Sequence, residues 1–316
     1  MKLKQIRVIE YQCGEEEKIK QIIYKSKVPI VIKIKNFPDK FSLDYFAQDE
    51  DAMTCYSTFE NYRCISTQSG NFSKVLSDIK NNKPYRIFGQ FMSKSTCREL
   101  ERYVPLWQKI PFRPRYFYDD IKVAYFFGGK GSATDMHFDR EHCCNLHLCL
   151  SGKKQLLLFT ESQSENVYKL PFISDSLINF SEPLDKIREQ FPRINNAEVY
   201  NVILEQGDML FMPKNCWHYT RYLDASSSAT YVFYPKKFLQ FYGYFTGYFY
   251  VGYKSEAGFK IANRPLFQKF SRRYALSSGI PKYFYKIIES ILFIFMLPII
   301  SILYVISFKV KQFRGY

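Results

Sequence analysis

The sequence predicts a mainly β protein, an all-β barrel or jelly roll with helices packed outside it. Three observations point there. Short runs rich in Val, Ile, Leu, Phe and Tyr recur between residues 27 and 234, separated by Gly, Pro or Asp turns. Aromatic residues, which favour strands, make up 18% of the chain. Hydrophobic residues make up 47%, enough to bury a core and too many for a disordered chain. A length of 316 residues fits one large domain or two small ones.

Taken in order, KVPIVIKIKNF (27–37) is an apolar, β-branched run ended by Pro38, a strand. KVLSDIKNN (74–82) has the spacing of a short amphipathic helix. KPYRIFGQF (83–91) reads as a strand. IKVAYFFGGKGSATDMHFD (121–139) reads as a strand, a glycine turn and a second strand. NLHLCLSGKKQLLLF (145–159) repeats that pattern around Ser151-Gly152. VYNVILEQGDMLFMPKNCWHYTRYL (199–223) gives three strands split by a Gly-Asp turn and a Pro turn, and SSATYVFY (227–234) closes the series. No internal repeat is visible.

Charge is distributed unevenly. The formal net charge is +15. Residues 236–316 hold thirteen Lys and Arg against two acids, Glu256 and Glu289, a net of +11. The rest of the chain is left near balance at +4. A nucleic-acid surface would need basic residues spread over the body, so nucleic acid is an unfavoured partner. The excess instead flanks SILFIFMLPIISILYVISF (290–308), nineteen consecutive uncharged residues. At ~1.5 Å rise per residue such a run approaches the ~30 Å hydrocarbon thickness of a bilayer. The expectation is a transmembrane helix over 287–309 acting as a single-pass C-terminal tail anchor, with the body on the cytoplasmic side by the bias of Lys and Arg. A buried dimerisation helix, and so a homodimer, is the competing reading. The aromatic stretch 238–254 either lies in the membrane interface or packs on the body.

The eight cysteines include no C-x-x-C pair, and the N-terminus lacks the apolar core of a signal peptide. Free thiols are expected. Cys143-Cys144 reads as two small buried side chains rather than metal ligands.

Chemistry is concentrated in the histidines, of which there are four: His137, His142, His147 and His218. His137 and Asp139 stand two residues apart on a predicted strand, so both side chains point to one face. His218 follows about eighty residues later, after an apolar strand and its turn. Two imidazoles and one carboxylate form the facial triad that holds non-heme Fe(II) and leaves coordination positions open. An H-x-D pair alone is weak evidence, since a strand histidine is usually a satisfied core residue.

The surrounding residues sharpen it. Thr134-Asp135-Met136-His137-Phe138-Asp139, then Asn145 with Gly152-Lys153-Lys154, then Gly207-Asp208-Met209-Leu210-Phe211-Met212-Pro213 running on to Trp217-His218, resemble the T-x-x-H-x-D, N…G-x-K and G-D-x-L-x-x-P-x-x-W-H motifs of the JmjC-like, cupin-like oxygenases. The resemblance covers about residues 17–236. It implies a double-stranded β-helix and an Fe(II)- and 2-oxoglutarate-dependent dioxygenase using O2. It implies His137, Asp139 and His218 as iron ligands, and Thr134 and Lys154 as partners of the distal carboxylate of 2-oxoglutarate. Asn145 would support a metal ligand or contact the co-substrate, and Tyr85 is the candidate for the family's co-substrate tyrosine, with a packed barrel tyrosine as the alternative. The domain would then occupy 1–236, with a basic aromatic juxtamembrane region at 237–286, the helix at 287–309 and a short tail at 310–316. REHCC, between Asp139 and Asn145, is longer than the family spacing. His147 shares strand parity with Asn145 and should line the pocket, whereas His142 should sit on a loop. The leading expectation is a hydroxylase of protein side chains. An RNA-, lipid- or small-molecule-modifying oxygenase and a non-catalytic cupin-like binding protein at a membrane are the alternatives.

Overall fold

The computed structural model describes residues 1–48, 52–110, 123–139, 142–234 and 265–314. Along the last helix it describes side chains to Phe295 and at Pro298 and Ile302. The aromatic stretch 238–254 therefore lies outside the described residues.

The described strands are β1 (Lys2–Lys4), β2 (Arg7–Tyr11), β3 (Ile30–Ile34), β4 (Met53–Glu60), β5 (Arg63–Asn71), β6 (Tyr85–Gln90), β7 (Val123–Gly128), β8 (Ala133–His137), β9 (Cys144–Ser151), β10 (Lys154–Phe159), β11 (Glu198–Leu204), β12 (Asp208–Met212), β13 (Trp217–Tyr222) and β14 (Ser226–Phe233). They form two sheets, ordered β1-β11-β10-β13-β8 and β2-β3-β12-β9-β14-β7-β6-β4-β5. Within them, β7 to β14 give β11-β10-β13-β8 facing β12-β9-β14-β7. That order is the double-stranded β-helix, with every neighbouring pair of the eight antiparallel.

Sequence periodicity explains which residues face the interior. In β9, Leu146, Leu148 and Leu150 are buried in the large core cluster with Met209 and Phe211. Asn145 and His147, one position out of phase, face the space between the sheets. At roughly 1.5–3 kcal/mol per buried leucine side chain, a one-residue slip of β9 would forfeit the core and invert the site together. A separate cluster holds Leu156, Leu158, Val202, Leu204, Leu210 and Met212, of which Leu156 and Met212 also line the pocket beside the polar residues.

Two glycines are required by close approach. Gly152 turns β9 into β10 at φ +71°, and a Cβ there would meet the Ala225 carbonyl oxygen at 2.2 Å. Gly128 ends β7 against the ring of Tyr222, where a Cβ would fall 2.4 Å from Cε1.

The expected strand within 27–37 forms as β3, and the expected helix at 74–82 forms as Phe72–Lys80. Asn71 caps that helix by accepting from the Lys74 N–H at 2.9 Å. The β4–β5 hairpin carries mostly hydroxyl and amide side chains, paired across the strands as Thr58–Ser66 and Tyr56–Gln68. It extends the larger sheet beyond the barrel. All eight cysteines are free, and Cys143 and Cys144 are buried.

The C-terminal segment departs from expectation. Gly279–Arg314 forms one helix of 36 residues, but among the described residues no helix is long and apolar enough to cross a membrane. The anchor expected at 287–309 is therefore unsupported. Before the uncharged run 290–308, Lys282, Lys286 and Glu289 are engaged with the body. Glu289 accepts from the Phe172 backbone N–H at 2.7 Å and the Tyr274 hydroxyl at 2.6 Å. Lys286 meets Glu165 at 2.5 Å. Lys282 is buried and donates to the Tyr274 carbonyl at 2.7 Å, and burial depresses its pKa to about 7. The preceding helix, Pro265–Leu276, adds Phe267 and Phe270 around Phe172. The described part of 237–286, from Pro265 onward, is helical and packs on the body.

Candidate metal centre

β8 and β13 are antiparallel neighbours, with His137 directly opposite His218 and a bulge before Thr220. Pairing across this register places the two imidazoles 4.2 Å apart, centroid to centroid. Asp139 follows β8 on the same face. The ligand atoms of His137, Asp139 and His218 all lie within 4.8 Å of one another.

Their hydrogen bonds prepare them for a cation. His137 Nδ1 lies 2.7 Å from the Asp135 carbonyl oxygen, and His218 Nδ1 lies 3.1 Å from the Cys216 carbonyl oxygen. A carbonyl can only accept, so each Nδ1 carries the hydrogen and each Nε2 keeps the lone pair. Asp139 Oδ2 accepts from Asn145 Nδ2, which fixes the carboxylate. Asn145, expected beside a metal ligand or the co-substrate, is thus the residue that orients the acid.

A pocket opens onto this cluster, lined among others by Phe88, Phe126, Thr134, His147, Lys154 and Tyr222. Lys154 is wholly buried. It donates to Ser228 Oγ at 2.5 Å and to His147 Nε2 at 3.3 Å, and its Nζ sits 4.8 Å from the centre of the Tyr222 ring. Every one of these partners is neutral. Burial pushes the Lys154 pKa down to about 8, because the charge is desolvated without a paired anion. His147 is held neutral by burial and by Lys154, well below the usual histidine range. As acceptor from Lys154 at Nε2, it donates from Nδ1 to Thr230 Oγ1 at 2.7 Å. Burial also raises the Tyr222 phenol to about 12, keeping it protonated.

His142 lies apart from the cluster. It is buried in a left-handed backbone conformation, φ +51°, with Nδ1 2.5 Å from Asn215 Oδ1. Burial lowers its pKa to about 4. Tyr85 also lies apart: its ring packs on Tyr56 at 5.0 Å and beneath Lys83. On β6 the alternation instead sends Arg86 and Phe88 to the site side. Arg86 Nη1 donates to Thr134 Oγ1 at 2.9 Å and to the Ala133 carbonyl. The structure places Tyr85 as a packed tyrosine and brings its neighbour Arg86 to Thr134. Arg86, Tyr222, Ser228 and Thr230 are not singled out by motif.

A double-stranded β-helix with two histidines and an aspartate converging inside the barrel, beside a buried lysine, makes a candidate metal site of the cupin type. The chain belongs to the cupin-like domain family, whose model matches residues 16–240. Among curated proteins, 115 residues are 30% identical to JmjC domain-containing protein D of Dictyostelium discoideum, 35% of this chain and 24% of that protein. A stretch of 108 residues is 35% identical to lysine-specific demethylase JMJ30 of Arabidopsis thaliana, 34% of this chain and 24% of that protein. A stretch of 115 residues is 32% identical to lysine-specific demethylase 8 of Xenopus tropicalis, 36% of this chain and 25% of that protein. The chain spans about a quarter of the length of the curated relatives it matches.

Proposed function

We propose that this protein is an Fe(II)- and 2-oxoglutarate-dependent oxygenase that hydroxylates a protein side chain. One observation carries the reading: a His-Asp-His cluster with both Nε2 lone pairs presented shares a pocket with a buried lysine that has no paired carboxylate. The donor set of two imidazoles and one carboxylate suits Fe(II) and leaves positions for further ligands. The buried ammonium suits the distal carboxylate of a small dicarboxylate.

Bound here, Fe(II) supplies the O2 activation that couples oxidative decarboxylation of 2-oxoglutarate to oxygenation of a C–H bond. The chain's own residues do the rest. His137 and His218 present fixed Nε2 atoms, and Asn145 holds Asp139 in a single orientation. Lys154 and the Thr134 hydroxyl grip the far carboxylate, which sets the direction in which the co-substrate lies. Phe88, Phe126 and Leu156 wall the pocket with apolar surface and limit water. Oxygenation at carbon gives a hydroxylated side chain. At an N-methyl group the same step gives the free amine and formaldehyde, an outcome that the names of two relatives favour.

The test is succinate release by the purified full chain with Fe(II), 2-oxoglutarate and O2, with mass spectrometry of proteins from a cell extract before and after reaction. A gain of one oxygen, or loss of a methyl group, identifies the product class. Absence of both 2-oxoglutarate binding and succinate release would sink the proposal.

A further inference from the structure

We propose that Arg86 is a positioning residue of the co-substrate pocket: its guanidinium turns the Thr134 hydroxyl toward the incoming carboxylate and places a second positive charge behind it. This rests on the 2-oxoglutarate reading above. The geometry is specific. Arg86 sits opposite Gly128 in the β6–β7 register, and its guanidinium lies 5.3 Å from the ring centres of both Phe59 and Phe88. Its Nη1 donates to Thr134 Oγ1 at 2.9 Å and to the Ala133 carbonyl, both neutral acceptors. Its Nε is sealed from solvent without a partner. A guanidinium stays protonated where an amine would give up its proton, and although Asp135 attracts this charge electrostatically, the hydrogen bonds of Arg86 go to the neutral Thr134 and Ala133 oxygens.

A threonine hydroxyl has one proton. With Oγ1 accepting from Arg86, that proton is directed away from the guanidinium. Thr134 lines the pocket that Lys154 enters from β10, two strands away in the same sheet. Arg86 thereby converts Thr134 from a group that could donate or accept into a committed donor, and a carboxylate needs donors. Gly128 belongs to the same device: lacking a Cβ, it lets the Tyr222 ring lie between the Arg86 strand and Lys154. Lys154 and the Thr134 hydroxyl line this pocket, and with Arg86 behind Thr134 they favour a carboxylate over a neutral amide or alcohol.

The test is equilibrium binding of 2-oxoglutarate to the Mn(II)-loaded full chain by calorimetry, with the thermal midpoint measured in parallel. Arg86→Met should weaken binding about 10- to 100-fold. Arg86→Lys, which keeps charge but not the fork, should lose about 3- to 10-fold. Thr134→Val combined with Arg86→Met should lose clearly less than the product of the two single losses, because both remove the same oriented hydroxyl and only the charge of Arg86 acts apart from it. Arg86→Met binding within about twofold of wild type, whatever its midpoint, would overturn the inference, as would additive losses in the double variant. If Arg86→Met fails to fold, Arg86→Lys decides: affinity equal to wild type refutes the role. Failure of the wild type to bind 2-oxoglutarate overturns the functional reading itself and this inference with it.

Discussion

Replacing Lys154 with methionine should stabilise the protein while removing 2-oxoglutarate binding. The amine is wholly buried and its hydrogen bonds go only to Ser228 Oγ and His147 Nε2. Its pKa falls from the ordinary 10.5 to about 8, which corresponds to roughly 3 kcal/mol of penalty on the charged form relative to the unfolded chain. Methionine fills nearly the same volume without the charge. Against the gain stand two lost hydrogen bonds, about 1 kcal/mol each. Ser228 Oγ softens that loss because it also reaches the Phe126 carbonyl, at 3.4 Å. The net expectation is roughly 1–2 kcal/mol of added stability at pH 7, a rise of a few degrees in thermal midpoint. The pH dependence follows from the direction of the shift. Because the folded pKa lies below the unfolded one, the unfolded chain binds more protons between about pH 8 and 10.5. Wild-type stability therefore gains over that window, and the advantage of the variant shrinks across it. Binding runs the opposite way. A carboxylate needs the ammonium, so wild-type affinity should fall as pH climbs above about 8, while any residual binding by the variant stays flat. Denaturant melts at pH 7 and pH 9.5, with calorimetry on the Mn(II)-loaded protein, would measure both. A Met variant that binds 2-oxoglutarate within about threefold of wild type would refute the reasoning.

Three further outcomes are expected. Asn145→Ala releases the Asp139 carboxylate and should weaken Mn(II) binding about 10- to 100-fold with the fold retained, measured by titration; His137→Ala should abolish it. Gly128→Ala forces a methyl into the Tyr222 ring and should cost about 1–3 kcal/mol in chemical denaturation, with a raised KM for 2-oxoglutarate. Glu289→Gln weakens the tie between the terminal helix and the Phe172 amide. It should destabilise by about 1–2 kcal/mol and speed amide exchange in 169–178, read by hydrogen exchange. That loop pairs with the metal strand, since Phe138 N–H donates to the Ser174 carbonyl at 3.0 Å.

Much of the site is legible because its signals are local. His137 and Asp139 share a face by a two-residue spacing that holds in any strand. His218 is marked by the Gly-Asp turn, apolar strand and Pro turn that deliver it. Asn145 and His147 follow from the alternation of β9. Tyr85 shows where local signals end: it and Arg86 are adjacent, and either could face the site until the register with β7 is known. The pairing of Arg86 with Gly128 decides it. The terminal helix shows a second limit. Hydropathy reads nineteen uncharged residues as a span, whereas among the described residues no helix is long and apolar enough to cross a membrane, and hydropathy does not show that Lys282, Lys286 and Glu289 just before the run are held by the body.

By itself the sequence determined the β architecture, the three residues of the His-Asp-His cluster and the buried lysine, because strand periodicity and short motifs fix faces without knowledge of neighbours. Only the tertiary structure decided which cation serves which hydroxyl, that Asn145 holds Asp139, and that the C-terminal helices dock on the loop beside His137. Those facts depend on register between strands far apart in the chain, and on burial that strips charges of water and makes them depend on their partners. Neither is written in any single stretch of residues.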